Sequence, residues 1–352
     1  MKKYIIIIAI LAAGSSIASA AIWRVNNTIG VARDYDNIRA AVTAAANGDT
    51  IHIEGSITAY KETVDIGKKL YIFGPGFNLP DNPQTQHIKL SAKVTNFNFE
   101  AGSAGSVLAG IEQTENANII SIADSDIKIL NCKLFNVVIN NIVKPLQNID
   151  VRKSWFDGGN IRTSGTEPVI NLNINNNFFN GIGVSNPGAN LVIRLHEDTK
   201  ALISNNTFYG TFVVTSLNTT TSVANNVFHR TAGTCNVNVH DSQRLVRNLF
   251  NVANPTWGMM THGQNFNVYD GGAIATWFSS TGGSTTVDKF FTAANNSPLI
   301  KYATSGQQLG MFGGLAPYEL SGLANIPAVY EIIMPNEVSA DGFDVTVRVR
   351  AH

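Results

Sequence analysis

Between residues 127 and 250 the chain alternates short apolar runs with Asn, Gly, Ser and Thr. Ile127–Leu130, Val169–Ile174 and Phe212–Val214 are β-branched and alternate with period two, which predicts short strands rather than helices. A large apolar residue returns to one local setting six times, at Leu134, Phe156, Phe179, Phe208, Phe228 and Phe250, with gaps of 22, 23, 29, 20 and 22 residues. Such a period marks a unit that cannot bury its own apolar face and must stack on copies of itself. Leucine-rich repeats share the period, but they need a leucine framework and a helical return that this sequence lacks. Three short strands and three turns per coil fit the spacing. The expected fold is all-β, a right-handed parallel β-helix, with an insertion near residues 181–190 in the 29-residue coil; the register before Leu134 is left open, with Ile111, 23 residues upstream, a candidate seventh anchor.

An Asn usually stands two residues before the anchor, at Asn177, Asn206, Asn226 and Asn248. In coils stacked about 4.8 Å apart, identical Asn side chains at one turn can bond to each other and to the turn backbone. On these residues the chain resembles the pectin-lyase-like superfamily of right-handed β-helices, whose members characteristically carry such an Asn ladder. Ser154 and Cys132 depart from the pattern, so the ladder is expected to fail in the earlier coils.

Before the repeats, residues 36–46 have apolar positions at helical spacing, an Asx cap signal and Asn47-Gly48 as a stop, predicting a short capping helix. Strand-like runs at Asp49–Gly55, Thr63–Ile66 and Lys69–Gly74 follow. Ala-rich helix, Gly-Asp-Thr-Ile and a strand ending in Phe-Gly resemble the cap and first coil of many secreted β-helix proteins. A solenoid needs a cap because its open end exposes core and unpaired strand edges.

The first twenty residues combine Lys2 and Lys3, an apolar run from Tyr4 to Ala13 and the small residues Ala18-Ser19-Ala20, which together predict a secretory signal peptide over 1–20 of bacterial type. A membrane anchor is the alternative, but that run is short for a span, and no other segment is long enough. The expected location is secreted or on the cell surface. Without Lys2 and Lys3, 25 − 2 = 23 basic residues face 25 acidic ones, so nothing points to nucleic acid. Four coils separate Cys132 from Cys235, nearly 20 Å along the axis and far beyond disulfide reach, so two free thiols are expected.

Beyond Phe250 the period is lost. The β-helix domain is placed at 21–315, and 316–352 reads as a linker punctuated by Pro317, Gly322 and Pro327, followed by two strands around Asp341-Gly342. The second strand alternates strictly, Val345, Val347 and Val349 against Thr346, Arg348 and Arg350. A two-stranded unit is marginal alone, so this one either caps the helix or docks onto a partner or another copy.

Function must come from sites, because the fold hosts lyases, hydrolases, esterases and non-catalytic adhesins alike. Two columns of residues stand out. Residues flanking the anchors should point outward, giving Trp155, Asp157, Phe178, Asn180, Tyr209 and His229 as a glycan-binding column in which rings stack on sugars beside Asn and Asp; the bland alternative covers Trp155 and Phe178 with a loop. The second column, ten to twelve residues before the anchors, holds Glu167, His196, Asp198 and His240, with Glu197 and Asp241 adjacent and Arg194 nearby. Read as a β-elimination lyase, it offers Arg194, His196 and Glu197 for catalysis and Glu167, Glu197 and Asp198 for a Ca²⁺ ion. Read blandly, it is a solvated polar turn.

The motifs that the resemblance implies for catalysis are missing. There is no Asp-Asp pair with Gly-His-Gly and Arg-Ile-Lys as in polygalacturonase-like hydrolases, and no Trp-Ile-Asp-His as in pectate lyases. The favoured expectation is therefore a non-catalytic, cofactor-free protein that binds an extracellular polysaccharide or joins a cell-surface assembly. The alternative is a polysaccharide lyase or hydrolase with a diverged site at His196–Asp198.

Overall fold

A computed structural model describes residues 20–82, 84–181, 191–216, 220–231, 235–239, 244–252, 264–279, 284–303, 307–324, 326–334 and 342–350. All of the predicted signal peptide but Ala20 lies outside them, as do His240 and Asp241.

The chain is a parallel β-helix with three walls per coil. The first wall is a ten-stranded parallel sheet running from Ile22–Val25 through Thr50–Ile53 and Tyr71–Phe73 to Leu245–Val246. Its inward residues stack in register as Ile51, Ile72, Leu108, Ile129, Val151, Ile174, Ile203, Val223 and Leu245, all buried. The second and third walls are partly continuous. Long strands such as Trp155–Thr163 bend midway, their first halves pairing in the second wall and their second halves in the third. At that bend Gly159 approaches the Phe135 carbonyl so closely that an added Cβ would lie 1.6 Å from its oxygen, so only glycine fits.

The recurring anchors are the core of the second wall. Phe156, Phe179, Phe208, Phe228 and Phe250 stack with ring centroids 4.8, 4.8, 4.7 and 4.7 Å apart, the spacing of adjacent strands. Upstream of Leu134 the structure sets the register that the sequence left open. Lys133 pairs with Glu112, which sets Leu134 over Gln113 and not over Ile111. The buried Gln113 amide accepts from Phe135 N–H at 2.8 Å and donates to the Thr95 carbonyl at 3.1 Å, so a polar side chain with both ends bonded takes the anchor position.

The two asparagines of each repeat do different work. The first adopts a left-handed conformation, with φ of 54° at Asn131, 55° at Asn176, 52° at Asn205 and 56° at Asn225, and Lys153 and Arg247 take the same turn. The second forms the ladder. The Asn177, Asn206 and Asn226 amides donate to the next Oδ1 at 3.1, 3.0 and 3.0 Å, and Asn248 continues to Asn267 at 2.9 Å. The expected failure at the earlier coils is only partial. The Ser154 hydroxyl takes the place of an Oδ1 by accepting from Cys132 N–H at 3.2 Å, while Ser154 N–H donates to Asn177 Oδ1 at 3.0 Å. Side-chain amide pairing stops there, but the column continues.

Cys132 is a free, fully buried thiol at the end of this column; the side chain of Cys235 lies outside the described residues. At the N-terminus the helix Ile38–Ala44 is capped by Asn37, whose side chain accepts from Ala40 N–H, and by Glu62, which accepts from Ile38 N–H at 2.5 Å.

The C-terminal segment does not leave the coils as a linker. Residues 264–279, 284–303 and 307–324 fold back over the second wall, where Trp277, Phe278, Phe291, Leu299, Met311 and Tyr318 form a second hydrophobic cluster with Trp155, Phe178, Tyr209 and Phe77. Asn176 fastens this cover by donating to the carbonyls of Met311 and Gly313 at 3.0 and 2.7 Å, and Asn131 donates to Leu323 at 2.5 Å. A fully buried carboxylate, Asp288, ties three segments together by accepting from Asn82, Tyr318 and Ser321 N–H. The hairpin follows, with Ala328–Ile333 antiparallel to Thr346–Arg350.

Candidate functional site

The cover removes the first predicted column from solvent. Trp155 and Phe178 are 1% and 0% exposed, and Tyr209, His229 and Asn180 are also buried. Trp155 packs against Phe178 with ring centroids 4.3 Å apart and Phe178 against Phe291 at 4.1 Å, both tilted, so Phe178 has protein rings on either side. Asp157, half-buried, accepts from Asn180 at 2.9 Å in a rung between coils. In this conformation Trp155, Phe178, Asn180, Tyr209 and His229 are covered and do not form the outward-facing column that was expected, while Asp157 stays half-buried at its edge. The physical reason is that the residues preceding the anchors, Trp155, Phe178, Val227 and Leu249, are apolar and pack beneath the C-terminal cover.

His229 lies inside this interface. Its ring stacks on Tyr209 at 5.4 Å and meets the edge of Trp277 at 5.1 Å, with neither ring nitrogen hydrogen-bonded. Burial pulls its pKa down to about 4.

The third wall carries a different site. Its outward face places Arg162 beside Arg194 as direct register partners on successive coils, and Arg194 beside Thr215. Both guanidinium groups are exposed, and among the described residues neither has a carboxylate within ion-pair distance. They line a cleft of about 660 Å³ together with Thr163, Ser164, His196 and Glu197. One rim is held rigidly from beneath. The buried Asn141 accepts from Gly165 N–H at 2.8 Å and donates back to the carbonyls of Gly165 and Glu167, while Glu167 N–H returns to the Asn141 carbonyl at 3.1 Å. The other rim is joined to it where His196 N–H donates to Thr163 Oγ1 at 2.8 Å.

Two like charges one strand apart repel by about 1 kcal/mol in water, a cost that a bound anion would turn into attraction. Parallel guanidinium forks are suited to carboxylate or sulfate oxygens. Hydroxyls and the imidazole supply hydrogen bonds for the remaining polar groups of such a ligand.

The predicted catalytic set Arg194, His196 and Glu197 does line one cleft, but the predicted metal set does not assemble. Glu167 and Asp198 lie outside the cleft lining. The carboxylate of Asp198 turns to His196 Nδ1 at 3.7 Å, and among the described residues no group of three His, Cys, Asp or Glu side chains converges as a cation site. Asn141, Arg162 and Thr163 are the site residues that sequence reasoning missed. The dipeptide Ile161-Arg162 and its counterpart Ile193-Arg194 were the available signal, because equal dipeptides one coil apart put their second residues in one outward column.

Comparison with protein-family models, with curated proteins and with solved structures returns no match for this chain.

Proposed function

We propose that this chain is an exported, non-catalytic β-helix protein that binds an acidic extracellular polysaccharide through the Arg162–Arg194 cleft. The signal-like first twenty residues, and the Asn-ladder resemblance to pectin-lyase-like proteins, support export and a glycan partner. The observation that carries the reading is the pair of register-matched guanidinium groups on the outer face of the third wall, neither of them ion-paired among the described residues. An extended anionic chain running along the solenoid axis would meet these charges in succession at the coil spacing.

Affinity electrophoresis in gels containing a polyuronate or a neutral glucan tests this reading. Retardation should occur in the polyuronate gel alone, weaken with salt, and disappear in the Arg162→Ala/Arg194→Ala protein; equal mobility in both gels overturns the proposal. A second reading, a β-elimination lyase, is favoured by Arg194, His196 and Glu197 lining the same cleft. It requires ultraviolet absorbance from an unsaturated product that His196→Ala abolishes.

A further inference from the structure

The C-terminal hairpin has one edge covered and one edge open. Val329 gives its carbonyl to His87 N–H at 2.9 Å, so the strand Ala328–Ile333 faces the body of the protein. Because that carbonyl points away from the hairpin, Val329 and Val349 form a non-hydrogen-bonded pair, and so do Ile332 and Val347. The backbone groups of Val345, Val347 and Val349 therefore point to the far side, where no backbone partner occurs among the described residues. The same three valines are exposed, at 45%, 51% and 57%. An unpaired, alternating valine edge is a template for another strand.

We infer that the occupant of this edge is a second copy of the same strand, paired antiparallel about a two-fold axis at Val347. Any register centred on a residue of the strand lets the outward-pointing backbone groups meet, so the side chains must choose among them. Centred on Thr346, the pairing sets Asp344 against Arg348, which already holds Glu331, and leaves Arg350 without a carboxylate. Centred on Arg348, the pairing sets two Arg348 side chains directly opposite each other, which is repulsive. Centred on Val347, it sets Val347 opposite Val347, Val345 opposite Val349, Arg348 opposite Thr346 and Arg350 opposite Asp344 of the second copy.

Charge selects the Val347-centred register. Arg348 keeps its own partner, Glu331, at 2.6 Å. Arg350 gives one N–H to the Gln84 carbonyl at 3.0 Å, and among the described residues neither it nor the exposed Asp344 has an opposite charge within ion-pair distance; Glu319, the carboxylate whose field reaches Arg350, is already paired with Lys153. Across the axis each supplies what the other lacks. The pairing turns two marginal two-stranded hairpins into one four-stranded sheet with about six new backbone hydrogen bonds and three valine pairs. The contact is small, so the dimer is a weak one.

Sedimentation velocity of the purified chain, from about 1 to 500 µM, reads this directly, with a shift from monomer toward dimer expected as concentration rises. Val347→Pro removes only an outward N–H and should leave a monomer throughout, with unchanged circular dichroism. Arg350→Asp should weaken association by roughly fivefold, and Asp344→Arg combined with Arg350→Asp should restore it. A chain that stays monomeric, or a dimer indifferent to Val347→Pro, overturns the proposal. Failure of the charge swap to restore association overturns the Val347-centred register.

Discussion

Replacing Asn206 by alanine is the sharpest test of how the coils are held at their second turn. The side chain makes four hydrogen bonds in a fully buried position: it accepts from Asn177 N–H at 2.9 Å and from Asn177 Nδ2 at 3.1 Å, and donates to the Ile174 carbonyl at 2.8 Å and to Asn226 Oδ1 at 3.0 Å. Not all four partners are stranded by truncation. Asn177 Nδ2 still reaches the Val151 carbonyl at 2.9 Å, and Asn226 Oδ1 still accepts from Asn206 N–H at 2.9 Å. Asn177 N–H loses its partner outright, and the Ile174 carbonyl loses a donor. At about 2 kcal/mol for each stranded buried group the cost is about 4 kcal/mol. Ser154→Ala strands a single donor, Cys132 N–H, and should cost about 1–2 kcal/mol. Urea denaturation followed by tryptophan fluorescence gives the two values. Hydrogen exchange should localise the loss to the coils on either side of Asn206, because a solenoid couples only neighbours. A cost below about 1 kcal/mol for Asn206→Ala, or one no larger than that of Ser154→Ala, would refute the reasoning.

Three further outcomes follow from burial. The folded-state pKa of His229, about 4, lies below its unfolded value of 6.5, so the unfolded chain binds the extra proton and stability falls as pH drops through this window, by about 3 kcal/mol in all; His229→Phe should flatten the pH dependence of the denaturation midpoint between pH 6.5 and 4. Trp155→Ala should cost about 3–5 kcal/mol and leave the polyuronate gel shift intact, since its ring is buried beneath the C-terminal cover and not in the cleft. Cys132, whose thiol pKa burial pushes up to about 12, should resist alkylation in the native protein and react on unfolding, as peptide mapping would show.

Much of the architecture was legible because it repeats. A period of 20 to 29 residues with a Phe at its end sets the coil, and the stacked rings follow from that spacing. The register before Leu134 was not legible, because Gln113 occupies an apolar slot by satisfying both ends of its amide with backbone groups. Periodicity reports hydrophobicity, and a satisfied amide does not show in it. The cover was obscured for another reason. Its contacts join residues far apart in sequence, such as Asn176 with Gly313 and Asn82 with Asp288, and no local pattern encodes them.

The double asparagine shows what the sequence held without revealing which residue did what. Asn-Asn reads as one ladder signal, yet only the second residue climbs the stack. The first is there because the turn needs φ near +55°, which Asn tolerates better than most residues, and because its amide then faces outward toward the cover. Lys153 and Arg247 take the same left-handed turn without that tolerance. Lys153 uses its length differently, reaching Glu319 of the cover at 2.6 Å, so this turn position still serves as an attachment point where Asn is missing. Thus one residue of each pair binds coil to coil, and at Asn131, Lys153 and Asn176 the other binds coil to cover. With the second wall enclosed in this way, the third wall is left to present Arg162 and Arg194 to solvent.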